Sequence, residues 1–307
     1  MGIPVWIRAA AAAVLMVVLM AVPRFASDYV VSLLITLLMY ANLATAWGIF
    51  CGTTRLISLA TVAFFGVGCY TVAVLSEVLA WPLLLLVAGG LGGLLALLMG
   101  LATLRLSGMY FVIFSFGVAE LLRQVVTWYE SKVARSVGRY VFTEVSATHI
   151  YFGLLVLLVV VGFIGIWLSR SRLGFALRLI GENEVAARSC GINTGAVRLA
   201  VFTGSAVVMS LVGAIVAPRW TYIDPSIAFN SIVSFQVVVM ALLGGLALFY
   251  GPLLGVVPLV LAFEILTKYF PNHFSIVLGV IFLLIVYVLP GGLLGLGRRV
   301  WPRKGAS

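Results

Sequence analysis

The sequence predicts an all-α polytopic membrane protein, a bundle of roughly 8–10 transmembrane helices with an amphipathic cytoplasmic helix between two of them. Three observations carry this. Of 307 residues, 64% are hydrophobic and only 9% charged, where a soluble domain carries about 25% charged. Mean hydropathy is +1.23. The apolar residues fall in runs long enough to cross a hydrocarbon core of roughly 30 Å, with most basic residues in the gaps between them. Disorder, collagen, coiled coil and an ordinary soluble enzyme are excluded together. The net charge of +10 reads as membrane orientation rather than nucleic-acid binding, because of where the basic residues sit.

The runs, in order, are Ala9–Val22, Tyr29–Phe50, Leu56–Leu79, Pro82–Leu104, Tyr110–Trp128, His149–Leu168, Val197–Ala217, Ile232–Phe249, Pro252–Thr267 and Phe274–Leu289. Short or glycine-rich runs among them are candidates for broken or half-crossing helices. The first run, ending near Pro23-Arg24, reads either as a cleaved signal peptide or as a retained span, and the apolar segments that follow favour retention. Between Leu168 and Leu199 lie Arg170, Arg172, Arg178, Arg188 and Arg198, and the tail carries Arg298, Arg299, Arg303 and Lys304. Short basic stretches stay in the cytoplasm. Four runs separate these two stretches and six precede the first, which puts both termini in the cytoplasm of a multi-pass protein. Segment Trp128–Thr148 should then be external, although it holds Lys132, Arg135 and Arg139 against Glu130 and Glu144; a small folded element that crosses despite its charge is expected there. The domain reading is one transmembrane unit over 1–297, containing a cytoplasmic loop at 169–196, and a basic cytoplasmic tail at 298–307.

Catalytic chemistry has no visible carriers. No glycine-rich phosphate loop ends in lysine, since Lys132, Lys268 and Lys304 each follow a residue other than glycine. Cys51, Cys69 and Cys190 are scattered, and the two histidines, His149 and His273, fall near span boundaries. No catalytic residue, metal ligand or cofactor is expected. Acids deep in a span would suggest ion coupling. Glu77 and Glu264 lie near span ends, and Glu120 is three residues from Arg123 on the same helix face, so a neutralising pair is expected there, with a substrate or coupling role as the other reading.

The most informative stretch is Ser169 to Asn193. Phe175, Ala176, Leu179, Ile180, Asn183, Ala186, Ala187 and Cys190 follow a 3–4 spacing, with Arg178, Glu182, Glu184 and Arg188 largely elsewhere around the helix. Gly181 offers a bend between two short helices and Gly191 a stop. A face mixing acid and base suits a protein partner better than a lipid surface.

Within it, Val185-Ala-Ala-Arg-Ser-Cys-Gly191 is similar to the E-A-A-x-x-x-G coupling loop of bacterial ABC importer permeases, with valine in place of the leading glutamate. The longer stretch Leu173–Asn193 resembles the LivM-type permease of branched-chain amino-acid importers. Ile57–Tyr70 resembles that family's S-L-G-H-A-x-F-F-G-x-G-A-Y helix, Gly108–Phe111 its G-x-Y-F turn, Leu243–Pro252 its second glycine motif and Leu289–Leu293 its closing R-P-x-G-L. The resemblance runs from about Tyr40 to Leu296. Departures are Ala60-Thr61 for Gly-His, Ala247-Leu248 for Gly-Thr, and the charged Tyr129–Arg139 region for a Gly-Gly-x-x-Gly element; they bear on the solute more than on the fold.

The resemblance implies a permease subunit in a bacterial inner membrane. Its partners would be ATP-binding ABC subunits, a second permease of LivH type and a periplasmic solute-binding protein, with no nucleic acid. The solute would be small and polar, branched-chain amino acids by family default, though relatives also serve urea, amides and aromatic acids. ATPase coupling would fall to Phe175, Leu179, Glu182, Glu184, Ala186, Ala187 and Gly191. The path would be lined by Ser58, Phe64, Phe65, Gly66, Gly68, Gly244 and Gly245, for which close helix packing is an equal reading, whereas Ala88–Gly93 reads as packing alone. Trp220–Ser226 would receive the binding protein, with Arg219 and Asp224 as contacts; a solvated interfacial loop is the other reading. The rivals are a self-contained secondary transporter or channel, and a membrane scaffold that carries nothing.

Overall fold

In hydrocarbon every backbone N–H and C=O must find a partner within the protein, so long apolar runs close into helices. A computed structural model describes residues 19–104, 108–135, 137–141, 143, 145–246, 250–270, 273–288 and 292–293. Its elements are α1 (Asp28–Thr54), α2 (Thr61–Leu75), α3 (Trp81–Thr103), α4 (Met109–Tyr129), β1 (Arg139–Tyr140), α5 (Ala147–Arg170), α6 (Arg172–Glu182), α7 (Glu184–Ser189), α8 (Thr194–Val216), β2 (Tyr222–Ile223), α9 (Pro225–Ala228), α10 (Ser231–Gly244), α11 (Gly251–Tyr269) and α12 (Phe274–Val288). A π-helical turn, Glu130–Ala134, prolongs α4, and a 3-10 turn, Ala217–Arg219, prolongs α8.

Among the described residues, seven segments are long and apolar enough to cross a membrane: α1, α3, α4 with its π-turn, α5, α8 with its 3-10 turn, the α9–α10 pair and α11. The chain is an all-α polytopic membrane protein. Most of the first run, the tail arginines and Lys304, Ala247-Leu248, Glu144 and the Leu289–Gly291 part of the closing motif lie outside the described residues.

The bundle is built around α1, whose stretch from Met39 to Trp47 is buried throughout. Helix α8 lies along α2, α3 and α1. Small residues set these distances. A Cβ on Gly68 would stand 1.9 Å from the Ser210 carbonyl oxygen, and one on Gly213 2.0 Å from that of Phe65. On the other side of α8, Ser210 Oγ donates to the Ala88 carbonyl at 2.7 Å and fills the space a Gly92 side chain would need. The Ala88–Gly93 stretch is thus a helix contact.

Run Leu56–Leu79, read as a span, contains only 15 helical residues, about 22 Å. Arg55 turns the chain out of α1 in the left-handed region at φ 56, and residues 55–60 run back without helical structure. Side chains from other helices satisfy that backbone. Trp47 Nε1 donates to the Ser58 carbonyl at 2.7 Å, Leu59 N–H donates to Ser115 Oγ at 2.9 Å, and Ser234 Oγ bridges the Leu59 carbonyl and the Val62 N–H, 3.0 Å each. Hydropathy saw an apolar run; these two hydroxyls and an indole are what allow it to be only partly helical.

Segment Trp128–Thr148 contains a small folded element. β1 pairs antiparallel with β2, Arg139 opposite Ile223 and Tyr140 opposite Tyr222. Glu130 organises it: its buried carboxylate accepts from the Gly138 N–H at 2.7 Å and Tyr70 OH at 3.2 Å, and lies 3.3 Å from Arg139 Nε. Two of the charges that strain a simple loop reading, Glu130 and Arg139, are paired in this arrangement.

Candidate coupling segment and solute path

Helices α6 and α7 connect α5 to α8 at one end of the bundle. Ser171 starts α6 by accepting from the Gly174 N–H at 3.2 Å, and Arg178 Nη1 reaches back to the Ser169 carbonyl at 3.0 Å. The expected bend at Gly181 is corrected: Gly181 lies inside α6, where a Cβ would come 2.6 Å from the Thr53 carbonyl at the end of α1. Its role is close approach. The break falls at Asn183, whose backbone is extended and whose Oδ1 accepts from the Val185 and Ala186 N–H groups at 3.0 and 3.1 Å, capping α7. Glu184 then ties α7 down, with Arg188 Nη2 at 2.6 Å and Arg198 Nη2, from the second turn of α8, at 2.8 Å. Partial burial raises the Glu184 carboxyl, but hydrogen bonds and charge from Arg198 and Arg188 more than offset it and hold the group below the usual carboxylate range. Gly191 ends α7 at φ +78.

The face buried against the bundle is Gly174, Ala176, Leu177, Ile180 and Ala187. This differs from the expected stripe, because the Asn183 break means that one helical period does not run from Phe175 to Cys190. Of the seven expected coupling residues, Ala187 is wholly buried in its own chain, Leu179 and Glu184 are half-buried, and Phe175, Glu182, Ala186 and Gly191 are exposed. Phe175 is 58% exposed and Val185 74%, beside exposed Leu173 and Cys190. Between α6 and the ends of α1 and α5 lies a cavity of about 240 Å³, lined among others by Gly52, Thr53, Arg55, Ser169, Arg178 and Glu182.

The expected path residues do not surround an open space. Ser58 is held by Trp47, Phe64 stacks edge-on against Phe202 at 5.5 Å, and Phe65 meets Trp220 at 6.3 Å. A Cβ on Gly66 would overlap the Phe229 ring at 2.4 Å, and one on Gly244 the Gly251 carbonyl oxygen at 2.0 Å; Gly245 turns the chain after α10 at φ +96. The gap between Trp47, Ser58, Phe64, Phe202 and Ser205 measures about 10 Å³, room for one water at most. Gly66, Gly68 and Gly244 are contact residues in this conformation.

At the end opposite α6 and α7, Arg219 donates to Ser32 Oγ and Thr36 Oγ1, both at 2.8 Å, and Tyr29 OH donates to Glu264 Oε1 at 3.2 Å. Asp224 caps α9 through the Ser226 and Ile227 N–H groups at 2.7 and 2.9 Å. The expected Glu120–Arg123 pair forms on α4, with Arg123 Nε at 2.9 Å and Nη2 at 2.7 Å from Glu120 Oε2.

The family described as the permease component of the branched-chain amino acid transport system matches residues 29–286. The chain belongs to this family. The match runs from the start of α1 into α12 and so takes in the α6–α7 segment and all seven expected path residues. The high-affinity branched-chain amino acid transport system permease protein LivM of Escherichia coli K12 is 26% identical over 318 residues, 92% of this chain and 74% of the relative. LivM of Salmonella typhimurium LT2 is 26% identical over 319 residues, with the same shares. No solved structure matches.

Sequence reasoning on this permease missed Asn183 as the break, Arg198 as the anchor of α7 and Glu130 as the centre of the β1–β2 element. Asn183 carried a readable signal, an Asn directly before an acidic first turn. Arg198 and Glu130 meet residues 14 and 60 positions away, and no local pattern encodes that.

Proposed function

We propose that this permease is the membrane subunit of an ATP-driven importer of branched-chain amino acids. It acts with a second permease of LivH type, two ATP-hydrolysing subunits and a periplasmic solute-binding protein in a bacterial inner membrane. The segment 169–196 and both termini lie in the cytoplasm. The observation that carries the reading is the α6–α7 segment: it has its own buried face and ion-pair anchors, yet leaves Phe175 and Val185 bare beside arginines and acids. Exposed apolar residues ringed by charge suit a protein groove, and a chain with no phosphate loop needs a partner to hydrolyse ATP. The family supports the transport class, and the two LivM relatives support the solute.

Closure of the ATPase subunits on nucleotide moves α6 and α7, and the contacts of these helices with α1, α5 and α8 pass that movement to the spans, alternating access. Solute arrives from the binding protein at the opposite end, where Thr221, Tyr222 and Ser226 are exposed near Arg219 and Asp224. Val185→Asp places a charge on the bare face without entering the core. It is expected to abolish co-purification of the ATPase subunits and leucine uptake while leaving the thermal midpoint of the purified permease unchanged. Retained co-purification and uptake would refute the coupling assignment, and uptake by the permease without any ATPase would favour a self-contained transporter.

A further inference from the structure

The Glu120–Arg123 pair has a position that lipid does not tolerate. Glu120 lies roughly 16 Å along α4, in a span of roughly 39 Å counted to the end of the π-turn, and the side chains of Arg123 and Glu120 remain 35% and 30% exposed on the outside of the bundle. Charge at that depth turns away from hydrocarbon, toward protein or water. The pair is also unsaturated. Two of the five guanidinium N–H groups of Arg123 are used on Glu120, and the other three have no partner among the described residues.

The neighbouring span breaks at the same depth. Helix α9 gives way at Phe229, Asn230 caps α10 by accepting from the Ile232 N–H at 3.0 Å, and Ser231 Oγ bonds Glu120 Oε1. Non-helical backbone within a membrane is tolerated where protein or a water-filled cavity faces it, and broken helices accompany solute sites. One turn toward the α6–α7 end, Phe116 and Phe235 approach with ring centroids 6.1 Å apart. Gly117, between Phe116 and Glu120 in sequence, has no atom within 4 Å of where a Cβ would stand.

We propose that Glu120, Arg123 and Ser231, with Phe116, Gly117 and Phe235 beside them, form the intramembrane subsite for a zwitterionic α-amino acid, on a face that the second permease completes. Arg123 takes the carboxylate, Glu120 the ammonium, and the two rings with the Gly117 space take an aliphatic side chain. Without solute the two charges neutralise each other; a zwitterion exchanges one ion pair for two, so the net charge of the site is constant through the cycle. The subsite rests on the proposed function, and the wild-type arm of its test reports on that separately.

The test is uptake of radiolabelled L-leucine by the complete importer in proteoliposomes with ATP and the loaded binding protein. Glu120→Gln and Arg123→Gln are each expected to lower the uptake rate about tenfold or more in complexes that retain both permeases. The exchanged pair Glu120→Arg with Arg123→Glu is expected to stay impaired, because the charges then face the wrong ends of the solute and the wrong neighbour, Ser231. Gly117→Leu, whose Cβ would have no atom of its own chain within 4 Å, is expected to block uptake and keeps the test alive if the charge variants do not fold. Restoration by the exchanged pair would reduce the site to a structural ion pair, and loss of the second permease from the single variants would make it a subunit contact. Either result, or unchanged uptake, overturns the subsite. A wild-type complex that hydrolyses ATP yet moves no leucine would overturn the proposed solute, and the subsite with it.

Discussion

On the proposed function, Gly174→Ala isolates the mechanical link between α6 and the spans. A Cβ at Gly174 would stand 1.9 Å from the Leu168 carbonyl oxygen, against the 3.0 Å below which real Cβ atoms essentially never come. The opposing atom is backbone in the last turns of α5, so no side-chain rotation relieves the overlap, and α6 must move away by at least 1.1 Å. At Gly181 the same comparison, 2.6 Å from the Thr53 carbonyl, demands at least 0.4 Å. Overpacking of this kind costs about 1–3 kcal/mol, and here most of it is released by displacing a short surface helix rather than by unfolding the bundle. Gly204→Ala in α8 meets nothing within 4 Å and is the control. The assay is leucine uptake per ATP hydrolysed by the reconstituted importer. Gly174→Ala is expected to retain bound ATPase subunits and ATP turnover while uptake per ATP falls to a small fraction, Gly181→Ala to show a milder loss, and Gly204→Ala none. A wild-type ratio in Gly174→Ala would refute transmission through the α6–α5 contact.

Two further outcomes follow from the electrostatics. Because Arg198 and Arg188 depress the Glu184 carboxyl in the folded chain, its contribution to docking α7 on α8 is full above the unfolded value, about 4.3, and is lost as pH falls through the lower folded value. Protease cleavage within residues 182–196 should therefore be flat from pH 7 to 5 and rise only in the acid limb; a rise already between pH 7 and 6 would count against this. Glu130→Gln removes a buried charge that serves Arg139, Tyr70 and the Gly138 N–H, a loss of about 1.5–3 kcal/mol. It should lower the thermal midpoint in detergent and speed hydrogen exchange in β1 and β2, and an unchanged midpoint would contradict it.

What the sequence made legible was set by period and composition. The apolar runs located α1, α3, α4, α5, α8, α10 and α11 to within a few residues, because lipid forces each into a helix with little tertiary choice. The 3–4 spacing found an amphipathic segment at 169–196 and three of its buried residues, Ala176, Ile180 and Ala187, but it also put the exposed Phe175, Ala186 and Cys190 on the same face. Phe175 and Leu177 are equally apolar, and which one turns inward is decided by the Ser171 and Asn183 caps and by the Gly174 and Gly181 contacts. The glycines of α2 and α10 were visible as small residues but not as contacts, since their partners Ser210, Phe229 and Gly251 lie far along the chain or in another helix. The helix break beside Glu120 was not legible as a break, because the apolar run began only at Ile232, after the Asn230 cap, and Pro225–Ala228 overlapped a stretch that read as an external loop.

On the proposed coupling, the same contacts bear on how a push at α6 and α7 would reach the expected path residues, which are packed closed here. Their main contacts go to α1, α5 and α8, and α1 and α8 in turn hold the two interrupted elements: α2, which starts from the non-helical residues 55–60, and α10, which starts at the Asn230 cap. Within the long helices each backbone bond is reinforced by its neighbours, so they move as rods. Residues 55–60 are held instead by single side chains, Trp47, Ser115 and Ser234, and Ser234 belongs to α10, so one hydroxyl joins the starts of both interrupted helices. A shift of α10 against the start of α2 loads that joint, because a single side chain of α10 holds both the Leu59 carbonyl and the Val62 N–H. Phe64, Phe65 and Gly66 lie within the first two turns of α2, and rotation about this joint is the displacement that would lift Phe64 from Phe202 without separating the glycine contact of Gly68 with α8.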